Sequence, residues 1–192
     1  QLKFAPFFDP DWMFGVKDGF DIVIGNPPYI QLQSNGGALS KLYEGCSFET
    51  FNGKGDIYCL FYERGYQLLN KNGHLCYITS NKWMRAGYGE ETRKFFATKT
   101  NPKLLIDFAG VKIFESATVD TNILLFENTS NKQHTICTVT KSKDKDNIKE
   151  LSDFVKQNHS ICNFSSSDSW VILSPIEHSI KQKIEAVGTP LK

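Results

Sequence analysis

The apolar positions of this chain change rhythm several times, and each change marks an element. Residues 20–24, Phe-Asp-Ile-Val-Ile, form a short β-branched run stopped by Gly25 and two prolines, the pattern of a buried strand. Over residues 31–55 the periodicity fades while Gly36, Gly37, Gly45, Gly53 and Gly55 accumulate, which predicts a long irregular loop. Loops of that length in compact domains tend to be functional or mobile. A helical rhythm then resumes. Ile57, Leu60, Phe61 and Leu68 share one face of a helix that Asp56 caps, that runs to about Asn70 and that Gly73 stops. His74 to Thr79 reads as a second strand, residues 88–98 as a second helix, and Lys103 to Phe108 as a third strand. Val119 to Glu127 and Gln133 to Lys141 are β-rich runs joined by Asn128-Thr-Ser-Asn-Lys132, which predicts a hairpin. The charged run 141–147 reads as a linker or exposed turn. A helix over 147–158, a β-like segment from Trp170 to Leu173 and a helix from Pro175 to Ala186 follow.

Strand–helix–strand–helix–strand followed by a hairpin describes half of a three-layer α/β domain with a mostly parallel sheet. In such sheets ligands sit beyond the carboxyl ends of the strands. The turns after residues 24, 79 and 108 then share one rim. That brings Asn26, Ser80-Asn81-Lys82 and the 109–118 loop together.

Composition narrows the partners. With 192 residues and 40% apolar content, the chain can bury one sizeable core and a small appendage. Its 22 basic and 21 acidic residues leave a charge of +1, so any nucleic-acid contact must rest on a local patch. The cysteines at 46, 59, 76, 137 and 162 are odd in number and lack C-x-x-C spacing, which fits reduced thiols in a cytoplasmic protein. His74, His134, His159 and His178 show no metal-ligand spacing, and no metal is expected. No apolar run is long enough to span a membrane, and no phosphate-cradling G-x-x-x-x-G-K-[ST] occurs.

The most informative residues are Asn26-Pro27-Pro28-Tyr29, set where the first strand ends. The lone pair of an exocyclic aromatic amine is delocalised into its ring, so the nitrogen is a poor nucleophile. Accepting hydrogen bonds from both of its N–H groups draws it toward tetrahedral geometry and frees the lone pair. Such acceptors work best when fixed beforehand. The side-chain oxygen of Asn26 is one acceptor and the carbonyl of Pro27 the second. Two prolines lock the turn and remove competing N–H donors. Tyr29 offers a ring face for stacking, worth about 1–3 kcal/mol per base. Glu44, Glu49 and Asp56 are available acids, but methyl transfer from a sulfonium needs little general base, and Asp56 reads as a helix cap.

With this motif the chain resembles the DNA adenine-N6 methyltransferases of restriction-modification systems, especially large fused enzymes that often carry a nuclease too. Phe20 to Ile30 is similar to the family's catalytic segment, and Phe8-Asp-Pro-Asp-Trp-Met13 to its lead-in. Lys54-Gly-Asp-Ile-Tyr-Cys-Leu-Phe61 resembles the helix walling the adenine of S-adenosylmethionine, with Phe61 at the walling position. Gly73 to Trp83 resembles the next strand and its turn. Ile113-Phe-Glu-Ser-Ala-Thr-Val-Asp-Thr-Asn-Ile-Leu-Leu-Phe126 resembles the segment whose leading phenylalanine, here Phe114, stacks on the flipped base. The resemblance implies catalysis by Asn26, Pro27 and Tyr29, base stacking by Tyr29 and Phe114, and cofactor contacts from Asn26, Pro28 and Phe61. Lys41, Lys82, Arg85 and Lys112 sit in or beside the rim loops as candidates for phosphates of double-stranded DNA. Trp83 reads as a packing anchor.

The family's glycine-rich first motif and its ribose-binding acid have no counterpart here. Residues 1–140 are therefore expected to be the catalytic half of a Rossmann-like S-adenosylmethionine-dependent methyltransferase domain. Residues 141–192 are expected to be a linker and helical lead-in to a DNA-recognition domain. Cofactor-binding and recognition parts, and in some such enzymes a nuclease, are then expected in a longer bacterial or archaeal parent, with no turnover from this segment alone. Two alternatives share the motif or the fold: a protein glutamine methyltransferase, whose amide nitrogen is also planar, and a non-catalytic DNA-binding or assembly module.

Overall fold

A computed structural model of the chain describes residues 9–109, 111–114, 119–144 and 147–189. Residues 1–8 with Phe8 of the lead-in, Gly110, residues 115–118 of the rim loop, residues 145 and 146 of the linker, the last three residues and the side chains of Lys143, Asn147, Pro175 and His178 lie outside that description. In chain order the elements are α1 (Pro10–Phe14), β1 (Phe20–Gly25), α2 (Ser34–Tyr43), α3 (Tyr58–Gln67), β2 (Leu69–Ser80), α4 (Glu90–Lys99), β3 (Asn101–Asp107), β4 (Thr121–Glu127), β5 (Thr135–Val139), α5 (Leu151–Asn158), β6 (Ser160–Cys162) and α6 (Pro175–Val187).

The six strands lie in the order β1-β2-β4-β3-β5-β6. β1 runs parallel to β2 and β3 parallel to β5, while the β2–β4, β3–β4 and β5–β6 pairs are antiparallel. The sheet is thus mixed rather than mostly parallel. The expected hairpin does not form, because β3 lies between β4 and β5 and pairs with both. Burying three adjacent strands satisfies both edges of β3, which a local hairpin would leave open.

Other expectations shift. The 31–55 stretch is not all loop, since it contains α2, whose start is broken by left-handed Asn35, Gly36 and Gly37. Asp56 does not cap the next helix: α3 begins at Tyr58, and its N-cap Ile57 makes no side-chain capping bond. That helix ends at Gln67, short of Asn70, and β2 starts at Leu69 instead of His74. The segment 170–173 is not a strand, and β6 lies earlier, at residues 160–162. At α6 the boundary agrees with the pattern, with Ser174 closing a capping box with Glu177.

One face of the sheet carries the core. Leu75 and Tyr77 of β2, Leu124 and Phe126 of β4, Leu105 of β3 and Cys137 of β5 are buried there with Tyr58 and Tyr62 of α3 and Phe95 and Phe96 of α4. The rings interlock edge-on: Phe96 lies 4.9 Å from Tyr62 and 5.1 Å from Trp83. Trp170 joins this cluster from the C-terminal segment, stacked at 4.2 Å on Phe164 and 5.3 Å from Trp83. Trp83 is therefore a core residue.

The opposite face differs. The register aligns Ile24, Cys76, Leu125, Leu104, Ile136 and Ile161 in one row across all six strands. Paired residues project to the same side of a sheet. None of the row is buried: Ile24 is 78%, Ile161 50% and Ile136 36% exposed, and the other three are half-buried.

Candidate active site

The turn expected to do chemistry follows β1. Gly25 ends the strand without a side chain, and a Cβ there would stand 3.2 Å from the Tyr77 ring. The next four residues alternate in environment: Asn26 is exposed, Pro27 buried, Pro28 exposed and Tyr29 half-buried. The chain beyond the turn is pinned by an antiparallel bridge between Gln31 and Asp56. The Ile57 N–H donates to the Ile30 carbonyl at 2.9 Å, and the Leu32 N–H to the Gly55 carbonyl at 2.9 Å. The turn is therefore fixed on one side by β1 and on the other by the entry to α3.

Next to the turn lies a cavity of about 320 Å³, walled by Tyr29, Ile30, Gln31, Ser34, Asp56, Tyr58, Ser80, Lys82 and Val119. Tyr29 packs edge-on against Tyr58, with ring centroids 6.2 Å apart at 83°. Its hydroxyl is buried and has no hydrogen-bond partner among the described residues. Burial also pushes the Tyr29 phenol above its ordinary pKa. The Tyr88 hydroxyl donates to Asp56 Oδ2 at 2.7 Å and lies 2.8 Å from the Tyr58 hydroxyl. Burial raises the phenol pKa of Tyr58 and of Tyr88 as well. All three tyrosines therefore stay neutral: Tyr88 and Tyr58 engage through their hydroxyls, and Tyr29 serves as a packing surface.

The second wall comes from the turn after β2. The Ser80 hydroxyl caps that turn by accepting the Lys82 N–H. The Asn81 N–H donates to the Asp120 carbonyl at 3.0 Å, joining the turn to the approach to β4. Asp107, fully buried at the end of β3, accepts from the Asn81 side-chain amide at 2.7 Å and from Arg85 at 3.2 Å. It also accepts the Ala109 N–H at 3.1 Å, so one carboxylate ties together the turns after β2 and β3. Arg93, itself buried, donates to the carbonyls of Trp83 at 2.6 Å and Ala86 at 2.9 Å. The rim is braced from below.

The expected site residues divide accordingly. Tyr29 and Lys82 share the cavity. Asn26, Pro27 and Pro28 adjoin it in sequence without being among its walls, and Phe61 and Phe114 are not among them either. Phe61 is 39% exposed on α3, an apolar ring left uncovered beside buried Leu60 and Tyr62. Phe114 is half-buried, and among the ring contacts of the described residues none joins it to Tyr29. Arg85 is engaged with Asp107 but keeps 52% of its side chain exposed. Lys41 and Lys112 are exposed and are not among the cavity walls. Among the described residues no group of three His, Cys, Asp or Glu could hold a metal, and no helix is long and apolar enough to cross a membrane.

Sequence reasoning brought Ser80 to the rim, missed Tyr58 and Tyr88, and misread Asp56. One signal was available: Asp56 is an acidic residue immediately before the apolar run Ile57-Tyr58-Cys59-Leu60. A carboxylate in that setting must find donors.

The model of the Eco57I restriction-modification methylase family matches residues 2–114. The chain is 31% identical to the type II methyltransferase M.PaeR7I of Pseudomonas aeruginosa over 107 residues, 55% of this chain and 18% of that protein. It is 27% identical to the type II restriction enzyme and methyltransferase RM.Eco57I of Escherichia coli over 175 residues, 88% of this chain and 17% of that protein. The chain thus spans less than a fifth of either relative's length. Its fold is similar to that of a Listeria monocytogenes protein described as a class I S-adenosylmethionine-dependent methyltransferase. The TM-score is 0.53 at 17% identity, with 73% of this chain and 43% of that one covered.

Proposed function

The chain belongs to the Eco57I restriction-modification methylase family, and from that premise we propose that it carries the catalytic turn of a DNA methyltransferase specific for the N6 amine of adenine. The observation that carries this reading is the exposed Asn26 on a proline-locked turn at the carboxyl end of β1, beside the cavity walled by Tyr29 and Lys82. Asn26 Oδ1 and the Pro27 carbonyl accept the two amine N–H bonds, and preorganisation by two prolines spares reorganisation during reaction. Tyr29 and Phe114 hold the extruded base. The methyl donor is S-adenosylmethionine, which supplies an electrophilic methyl group on a sulfonium. Phe61, an aromatic ring left in solvent, fits a planar heterocycle, with Pro28 and Asn26 beside it. Lys82, Arg85, Lys41 and Lys112 offer cations to DNA phosphates.

The reading also assigns residues 1–140 to the catalytic half of the domain and residues 141–192 to the approach to a recognition region. The cofactor's ribose-binding acid and the DNA-reading surface come from other parts of a parent protein. Two features support that division. The apolar row from Ile24 to Ile161 lies uncovered on one sheet face, and α6 leaves Ile176, Ile180, Ile184 and Val187 exposed along one stripe.

The test is nucleoside analysis of duplex DNA incubated with S-adenosylmethionine and the full-length protein. N6-methyladenine is expected, and Asn26→Ala should lower its formation by at least about 100-fold, as loss of one preorganised catalytic hydrogen-bonding group does. Methyl groups appearing on glutamine of added peptides, or undiminished methylation by Asn26→Ala, would overturn the reading.

A further inference from the structure

Asp56 is buried at the catalytic turn yet caps no helix and touches no cation among the ion pairs of the described residues. Its partner is Tyr88, which stands in a glycine-flanked turn, Gly87–Gly89, just ahead of α4. Gly55 makes room for that ring, since a Cβ there would meet Tyr88 Cδ2 at 3.3 Å. The polarity of the hydroxyl chain follows from its end. Tyr88 has one O–H, and it is directed at Asp56 Oδ2. The 2.8 Å contact with Tyr58 must then run the other way, with Tyr58 donating to the Tyr88 oxygen. Tyr58 is thereby held by its tip while its ring edge meets Tyr29 at 6.2 Å and 83°. Nothing else polar holds Tyr29 itself, because its own hydroxyl has no partner among the described residues.

We propose that Asp56 is a positioning residue for the base-stacking ring of Tyr29, acting through Tyr88 and Tyr58. The inference rests on the functional reading above and deepens it: the stacking surface for the extruded base is set by a carboxylate-anchored pair of phenols. Asp56 also walls the cavity, but adenine offers no hydrogen-bond donor besides the amine already assigned to Asn26 and Pro27. The role that remains for the carboxylate is orientation.

The test is a double-mutant cycle on kcat in the full-length methyltransferase. Asp56→Ala is expected to lower kcat by about 10-fold, a modest case of the loss that misplaced reacting groups bring, with KM for DNA within about twofold. Tyr88→Phe should do the same, and Asp56→Asn, which keeps an acceptor oxygen, should restore part of the loss. In a Tyr29→Ala background Asp56→Ala should change kcat by less than about twofold. A merely structural role would instead give equal losses in both backgrounds, and that result overturns the proposal. A second readout separates its failure from that of the function. In the chain itself, Tyr88→Phe should displace the Tyr29 ring resonances in aromatic NMR spectra, while unchanged resonances contradict the positioning whatever the substrate proves to be. A wild-type protein that leaves adenine unmethylated refutes the functional reading, and the NMR result still decides the positioning.

Discussion

The two faces of the sheet have the same strands and opposite fates. On one, Tyr62, Phe96, Phe126 and Trp83 interlock beneath α3 and α4 and leave almost no exposed surface. On the other, an equally apolar row from Ile24 to Ile161 meets solvent. Alternation along each strand generates both faces together, so apolar pattern alone does not say which is covered. The helices on the covered face also bring Asp56, Tyr58 and Tyr88 to the turn after β1. The site is thus built on the covered side of the molecule, and the exposed row stands apart from it.

The contrast can be broken most forcefully by truncation. Phe96→Ala should cost about 3–5 kcal/mol in urea unfolding, as for aromatic residues in close-packed cores. Ile24→Ala in the same chain should stay within about 0.5 kcal/mol, as for exposed positions. A similar cost at both sites would mean that the two faces are equally packed. The next effect concerns association. The chain with this row exposed is expected to self-associate as concentration rises in sedimentation experiments, and replacing Ile24 and Ile136 with lysine should abolish that without lowering its unfolding midpoint. Unaltered association would show that the row is not the adhesive surface.

The smallest effect lies where the cover runs out. Cys137 is buried on the covered face, and its hydrogen bond to half-buried Cys162 lowers the Cys162 thiol to about 7. Alkylation of Cys162 by iodoacetamide should therefore rise as pH climbs through about 7. Cys137→Ala should move that midpoint upward, because the thiolate loses its donor. A midpoint indifferent to Cys137 would place the two thiols apart.

Much of this was legible in the residues. The strand ending at Gly25, the turn Asn26-Pro27-Pro28-Tyr29 and the helix capped by Ser174 depend on local spacing, which a sequence displays directly. What was not legible is non-local. Asp56 meets Tyr88 across 32 positions, and no local pattern distinguishes that pairing from a helix cap. The hairpin expectation failed for a related reason: sequential strands usually neighbour each other, but β3 intervenes and pairs with both β4 and β5. β6, three residues long, is too short to show any alternation. The fold class survived these errors because it rests on the order of elements, whereas the sheet's mixed direction depends on pairings made at long range.

The measurement that tests the central claim most directly is a structure of the full-length protein with duplex DNA and an unreactive cofactor analogue. An adenine rotated out of the stack is expected, its N6 within hydrogen-bond reach of Asn26 Oδ1 and the Pro27 carbonyl, and its ring against Tyr29. A fully stacked duplex, or an extruded base whose amine faces away from Asn26, would contradict it.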